Sequence, residues 1–301
     1  MKFTRDGTKA AGKGRTVMKN RKKSGFIRQL GTLFHRDVEL FFAEKSKIFI
    51  TVFLPIITAL IIGNVTHSIF FDTYEDTKSS LFTIVSASIY IGMFNALTAI
   101  CQEREIVKHE YLTGMNLWSY VFAQVLWQGV ICSVQTAIFM IYYWNRIDFP
   151  TDGIYFSSTL PEYFISLFLV MYAADVTGIF ISCSVKKNET ANLIAPLIVI
   201  CQLVFSGVLF KLHHFLKKMA NIMISKWGME AMGRIARLNT LELRIQKEYK
   251  NSPVPFKHEV EKVYSAKASY LFHDWRILVI YILILAVASA LVLYRVRKDQ
   301  R

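Results

Sequence analysis

The chain has 301 residues, 53% of them hydrophobic, with 36 lysines and arginines against 22 acids and a formal net charge of +14. Six apolar runs take up nearly half of it, and no stretch outside them is large enough for an independent catalytic domain. The basic excess lies mostly beside those runs, where it faces anionic lipid, so membrane lipid and not nucleic acid is the expected partner. The cysteines, Cys101, Cys132, Cys183 and Cys201, sit within or at the ends of runs, which argues against a disulfide framework or a zinc site.

Residues 1–25 mix Arg and Lys with Gly, Ser and Thr and read as a disordered basic arm. They hold no apolar stretch of the kind a cleavable signal needs. In residues 26–47, Phe26, Leu30, Phe34, Val38 and Phe41 recur every three or four positions, opposite Arg28, Arg36, Glu39 and Glu44. That spacing predicts an amphipathic helix lying along the inner membrane surface.

The runs follow: Ile48 to Val65, Leu81 to Ile100, Trp118 to Trp144, Leu160 to Cys183, Ala191 to Phe210 and Trp275 to Tyr294. A spanning helix needs roughly 17–25 mainly apolar residues, because the hydrocarbon core is about 30 Å thick. All six qualify, and lipid leaves backbone amides no partner outside a helix or a closed barrel, whose short alternating strands are absent. The expected fold class is an all-α membrane protein, with residues 48–294 as a six-helix transmembrane domain. Pro55 and Pro196 read as local bends.

Charge sets the expected orientation. The first 47 residues hold thirteen basic against four acidic side chains, and the tail, residues 295–301, carries Arg295, Arg297, Lys298 and Arg301. Both termini therefore belong in the cytosol of a multi-pass plasma-membrane protein. Thr66 to Ser80 and Asn145 to Thr159 hold one Lys or Arg each and fall outside, while Lys186 and Lys187 fall inside. The segment 211–274 has twelve basic residues yet falls outside, at a length, about 60 residues, where charge stops dictating topology.

Between the second and third runs lies the most charged short segment, Gln102 to Asn116, reading QEREIVKHEYLTGMN. Glu103, Arg104, Glu105, Lys108 and Glu110 alternate with Ile106, Val107 and Tyr111, so a short helix there has one apolar and one charged face. Ordinary bundle loops are short and rich in turn residues; this one is helix-prone with a single Gly114, which favours a docking surface.

The string EREIVKHEYLTGMNLWSYVFAQ, Glu103 to Gln124, resembles the linker of ABC-2 permeases of the ABCG or White type. A second match follows the fifth run, where Phe205-Ser206-Gly207-Val208-Leu209 is similar to that family's FSG motif, and Lys226 to Met232 (KWGMEAM) to its aromatic, Gly and EAL sequence. The resemblance covers about residues 26–297. It implies a six-helix permease of the type V exporter kind, led by an interfacial helix and working as a homodimer or heterodimer with a separate ABC ATPase. It further implies that Glu103, Arg104, Glu105, His109 and Glu110 couple to that ATPase, with a smaller contact from Val185 to Thr190. A substrate path at a two-fold interface is lined, counting back from Glu103 and Phe205, by Ser88, Ile91, Asn95, Ile200 and Leu203. Val208 and Leu209 match its outer valve. An acid present near the end of the second span in some relatives is Thr98 here, so their polar relays do not carry over.

Asp175 is the one acid well inside a run, about 12 Å of helix from Cys183. Burying its charge is costly, so it carries either a proton-coupling role or a structural hydrogen bond to Gln124, Gln128 or Gln135, and the second is preferred. No GxxxxGK[ST] is present, and His109-Glu110 and His258-Glu259 each lack the second His of a zinc-binding HExxH. His213-His214 reads as a solvated pair. No cofactor is expected on this chain; ATP and Mg belong to the partner ATPase. The competing readings are a proton-coupled secondary transporter using Asp175 and a non-transporting scaffold.

Overall fold

A computed structural model describes residues 25–66, 71, 74–147, 149, 150, 152–210, 214–241 and 262–298. The expected basic arm up to residue 24, His213, His258-Glu259 and residues 299–301 of the tail lie outside the described residues, as does much of the 211–274 loop.

Every regular element among the described residues is helical: α1 (Phe26–Ala43), α2 (Lys45–Thr66), α3 (Tyr74–Ala96), α4 (Ala99–Gln102), α5 (Arg104–Leu112), α6 (Leu117–Trp144), α7 (Thr159–Ser184), α8 (Asn188–Val204), α9 (His214–Ala220), α10 (Ile224–Ile235) and α11 (Ala268–Lys298), with one 3-10 turn at Lys262–Tyr264. Five stretches are long and apolar enough to cross a membrane: α2, α3 continued through α4, α6, α7 and most of α11. The fifth apolar run differs from expectation. Its helix, α8, covers 17 residues and stops at Val204, and the chain continues through Phe205 to Phe210 as turns and bends. Gly207, at φ 79°, cannot extend a right-handed helix, and the Ser206 hydroxyl donates to the Leu203 carbonyl at 2.7 Å in competition with the helical ladder.

Local chemistry sets the other boundaries. Asn116 caps α6 by accepting from the Trp118 amide at 3.0 Å, and Ser158 caps α7 by accepting from Leu160. Glu44, in an extended conformation, ends α1 and turns the chain into α2. Hydroxyls within the apolar helices bond to their own helix one turn back, Thr58 to Leu54 at 2.8 Å and Ser88 to Ile84 at 2.9 Å, which meets their polar need without water.

The bundle is built around α7, whose most apolar window is 72% buried against 22% for the peripheral α2. α3 and α7 cross in close backbone contact. Gly92 of α3 lies against the Met171 carbonyl and Gly178 of α7 against the Met93 carbonyl, so neither position has room for a methyl group. At the opposite end from α5, α10 lies across α3 and α7 with Gly228 against Val170 and Val85. It is tied to α11 by Arg234, which pairs with Asp274 at 2.9 Å and with Glu230 at 3.0 Å. Trp275 of α11 donates to Ser166 of α7 at 2.8 Å.

Candidate functional site

The charged segment forms α4 and α5, and a single arginine fastens it to α1. The Arg36 guanidinium donates through Nη1 to both Glu110 oxygens, at 3.0 and 3.2 Å, and through Nη2 to Glu103 Oε2 and Asp37 Oδ1, each at 3.2 Å. It lies 5.6 Å from the Tyr120 ring centre, and the Tyr120 hydroxyl donates to Glu103 Oε2 at 2.9 Å. Arginine alone presents several N–H groups in a rigid planar fork, which is what three carboxylates arranged around one cation require. Burial works against the Arg36 charge, but Asp37, Glu103 and Glu110 outweigh it and hold its pKa above the ordinary value. Asp37 is pushed up to about 6, chiefly by burial, with Arg36 pulling the other way.

This corrects the expected face of α1. Arg36 does not point away from the apolar stripe; it lies half-buried on the inward side with Leu33 and Asp37. Two further bonds seat the start of α1 on the start of α6: the Asn116 amide donates to Gln29 Oε1 at 2.8 Å, and Ser119 donates to the Phe26 carbonyl at 3.2 Å. Asp37, Gln29 and Tyr120 were not singled out by sequence. Asp37 left a usable signal, since it is four residues after Leu33 and one turn before Phe41, an acid within the apolar stripe.

α4 is pinned to the end of α7. The Ile100 and Cys101 amides both donate to the Ser182 hydroxyl at 3.0 Å, and the Arg104 side chain reaches the Val185 carbonyl. The expected coupling residues thus divide. Glu103, Arg104 and Glu110 bind other parts of the same chain, whereas Glu105 and His109 are exposed on α5 beside Ile106 and Leu112, apolar residues 54% and 68% exposed.

Deeper in the bundle, Ser88 and Ile91 are fully buried within the chain, so they do not lie on an open face of α3 as expected of path-lining residues. The face left open carries Thr83, Ala87, Tyr90 and Phe94. α3 ends at Ala96, and the chain turns at Leu97 and Thr98 before α4. Asn95 is half-buried and exchanges hydrogen bonds with Gln135, donating at 2.6 Å and accepting at 3.2 Å; Gln135 also donates to the Thr51 carbonyl at 3.2 Å. Ile200 is exposed and Leu203 half-buried on α8.

Asp175 is fully buried in α7, and neither of its oxygens has a hydrogen-bond partner among the described residues. The expected bond to Gln124, Gln128 or Gln135 is therefore not formed; Gln135 is committed to Asn95 and Thr51. At the far end of α8, Val208 packs against the core while Leu209 is 52% exposed, so the pair splits between an inward and an outward residue. Among the described residues no group of three or more His, Cys, Asp or Glu is placed to hold a metal ion.

Comparison with known proteins agrees with this architecture. The chain is 23% identical over 218 residues to the ABC transporter ATP-binding/permease protein Rv1747 of Mycobacterium tuberculosis, covering 69% of this chain and 25% of that protein. It therefore spans about a quarter of the length of that relative. The family model described as ABC-2 type transporter matches residues 28–235, from the first turn of α1 to the end of α10. The amphipathic α1, the candidate spans α2, α3, α6 and α7 and the charged α4–α5 segment all fall inside the match, and the chain belongs to the ABC-2 type transporter membrane-domain family.

Proposed function

We propose that the chain is the permease subunit of an ATP-driven exporter of the ABCG-like, type V kind. It works as a homodimer or heterodimer with a separate ABC ATPase, in the plasma membrane with both termini cytosolic. In this reading α8 is the fifth of six spans: 17 residues reach about 25 Å, and the turns through Phe210 complete the crossing. ATP and Mg2+ act on the partner, and this chain turns the partner's closure into movement within the membrane.

The observation that carries the proposal is the division of the charged segment. One side of α4–α5 is bonded to α1 through Arg36 and to the end of α7 through Ser182 and Val185. The other side presents Glu105, Ile106, His109 and Leu112, a mixed apolar and charged surface suited to a protein partner. A push on that surface reaches the interfacial helix and the central helix together, as a rigid handle shifts the elements it is fixed to. The two subunits alternate the exposure of a path between them. That path is lined by the open faces of α3 and α8, including Tyr90, Phe94, Ile200 and Leu203, and closed at Val208 and Leu209.

The experiment is purification of the tagged chain from its native membranes, with sequencing of co-purifying proteins and assay of ATP hydrolysis. A partner carrying GxxxxGK[ST] is expected, together with hydrolysis that drops when Glu105→Lys and His109→Glu are introduced without loss of folded permease. Absence of any ABC ATPase from the complex refutes the proposal.

A second reading, transport driven by a proton on Asp175, is favoured by the one observation that this carboxyl has no hydrogen-bond partner among the described residues. It predicts transport dependent on a proton gradient in membranes depleted of ATP.

A further inference from the structure

A groove of about 390 Å3 runs between α7, α8 and α11. It exists because α8 meets the bundle along a narrow stripe, Ala191, Ala195, Val199 and Gln202, of which two are alanines. Ile194 and Ile198, beside that stripe, face across a gap to Phe180 and Ile181 of α7.

Three polar side chains in its walls are bonded within the chain. Thr177 donates to the Ala173 carbonyl at 2.8 Å, Ser184 to the Phe180 carbonyl at 2.7 Å, and Gln202 accepts from the Ser225 amide at 3.2 Å. The rest of the wall is chiefly apolar, with Phe180, Ile181, Ile194 and Ile198, and suits an apolar occupant. At the α5 end the groove opens beside Ser184 and Val185, and the next two residues are Lys186 and Lys187, both exposed and neither ion-paired among the described residues.

We propose that this groove seats one acyl chain of an anionic phospholipid whose phosphate is held by Lys186 and Lys187. The size agrees: a methylene needs about the room of a water molecule, about 30 Å3, so the groove takes on the order of a dozen carbons. Lysines at the edge of the hydrocarbon region, where a span ends, supply the charge that selects anionic over zwitterionic headgroups. The bound chain fills the loosely packed side of α8, the helix that leads to Val208 and Leu209. The inference requires only that the chain lies in a membrane, and it stands or falls separately from the coupling to an ATPase.

The test uses the full chain, with any partner that co-purifies, in nanodiscs of equal parts phosphatidylglycerol and phosphatidylcholine. After extraction into detergent, native mass spectrometry counts the lipids retained. Phosphatidylglycerol is expected to be retained about 30-fold over phosphatidylcholine, the preference two lysines near the headgroup layer supply. Lys186→Gln with Lys187→Gln should erase that preference, and Ile198→Trp should reduce retention of both lipids by filling the groove. Leu126→Trp, on the half-exposed outer face of α6, should change neither. Where Ile198→Trp fails to fold, Ile194→Phe, a smaller intrusion, should still lower retention severalfold. Equal retention of the two lipids by the wild type, or undiminished retention in the folded groove variant, overturns the proposal. So does a Cys201–Cys201 crosslink between two copies, which means that a second chain covers the groove.

Discussion

Replacing Arg36 with alanine removes the cation that Asp37, Glu103 and Glu110 share. The size of the effect follows from how dry the cluster is. Exposed ion pairs contribute about 0.2–1 kcal/mol, and breaking a buried pair costs about 3–5 kcal/mol because a charge is left behind. Arg36 and Glu103 are each 24% exposed and Glu110 is 37% exposed, so the cluster lies between these limits, at about 2 kcal/mol. A change of 1.4 kcal/mol is tenfold, so the ratio of docked to undocked α5 should fall about 30-fold. Hydrogen exchange of the α5 backbone amides reads that ratio directly, since Arg104–Leu112 exchange when the helix lifts from α1. Arg36→Lys keeps the charge and loses the fork, and should recover only part of the protection. Amide protection in Arg36→Ala within twofold of the wild type would refute the idea that this cluster holds the handle.

Asp37 gives a pH signature. Its pKa is about 6 in the fold against 3.8 for the free residue, so the folded state holds the proton more tightly. The resulting stabilisation is complete below pH 3.8 and is lost as pH rises through about 6. Asp37→Asn should therefore gain on the wild type in thermal stability as pH rises from about 4 to above 6, by up to about 3 kcal/mol, then level off; a difference independent of pH contradicts this. Gly92→Ala puts a methyl group against the Met171 carbonyl and should cost about 1–3 kcal/mol in thermal unfolding, whereas Gly31→Ala, with open space around it, should be neutral or stabilising. Asp175→Asn replaces an unpartnered buried carboxyl with a neutral amide, and under the ATP-driven reading the purified complex should keep its ATP-dependent activity; abolished transport with folding and ATP hydrolysis intact would move the function to the proton-coupled reading.

The apolar runs were legible because a bilayer imposes a length and a composition that few other structures share. All six form helices, and the one that departs, α8, stops early at a local feature, Ser206-Gly207, already visible in the run. The amphipathic period of α1 was equally plain, but its polar face was misread. Periodicity sorts residues by hydropathy, whereas Arg36 turns inward to pair with Glu103 and Glu110, some 70 residues away in the chain, and Asp37 is buried beside it, which no local pattern encodes. Ser88 and Ile91 lie inside the bundle, because hydropathy alone does not separate a residue packed against a neighbouring helix from one on an open face. Of the three glutamines expected near Asp175, Gln135 is taken by Asn95 and Thr51.

The central claim, that the exposed face of α5 receives an ATPase, is tested most directly by photo-crosslinking. A benzophenone amino acid at His109, and a matched one at Tyr90 on the open face of α3, are activated in native membranes and their adducts sequenced. The account predicts that the His109 probe captures a chain carrying GxxxxGK[ST], in a yield that changes when ATP is trapped by vanadate, while the Tyr90 probe does not. Adducts at His109 that contain only lipid or a second copy of this chain would contradict it.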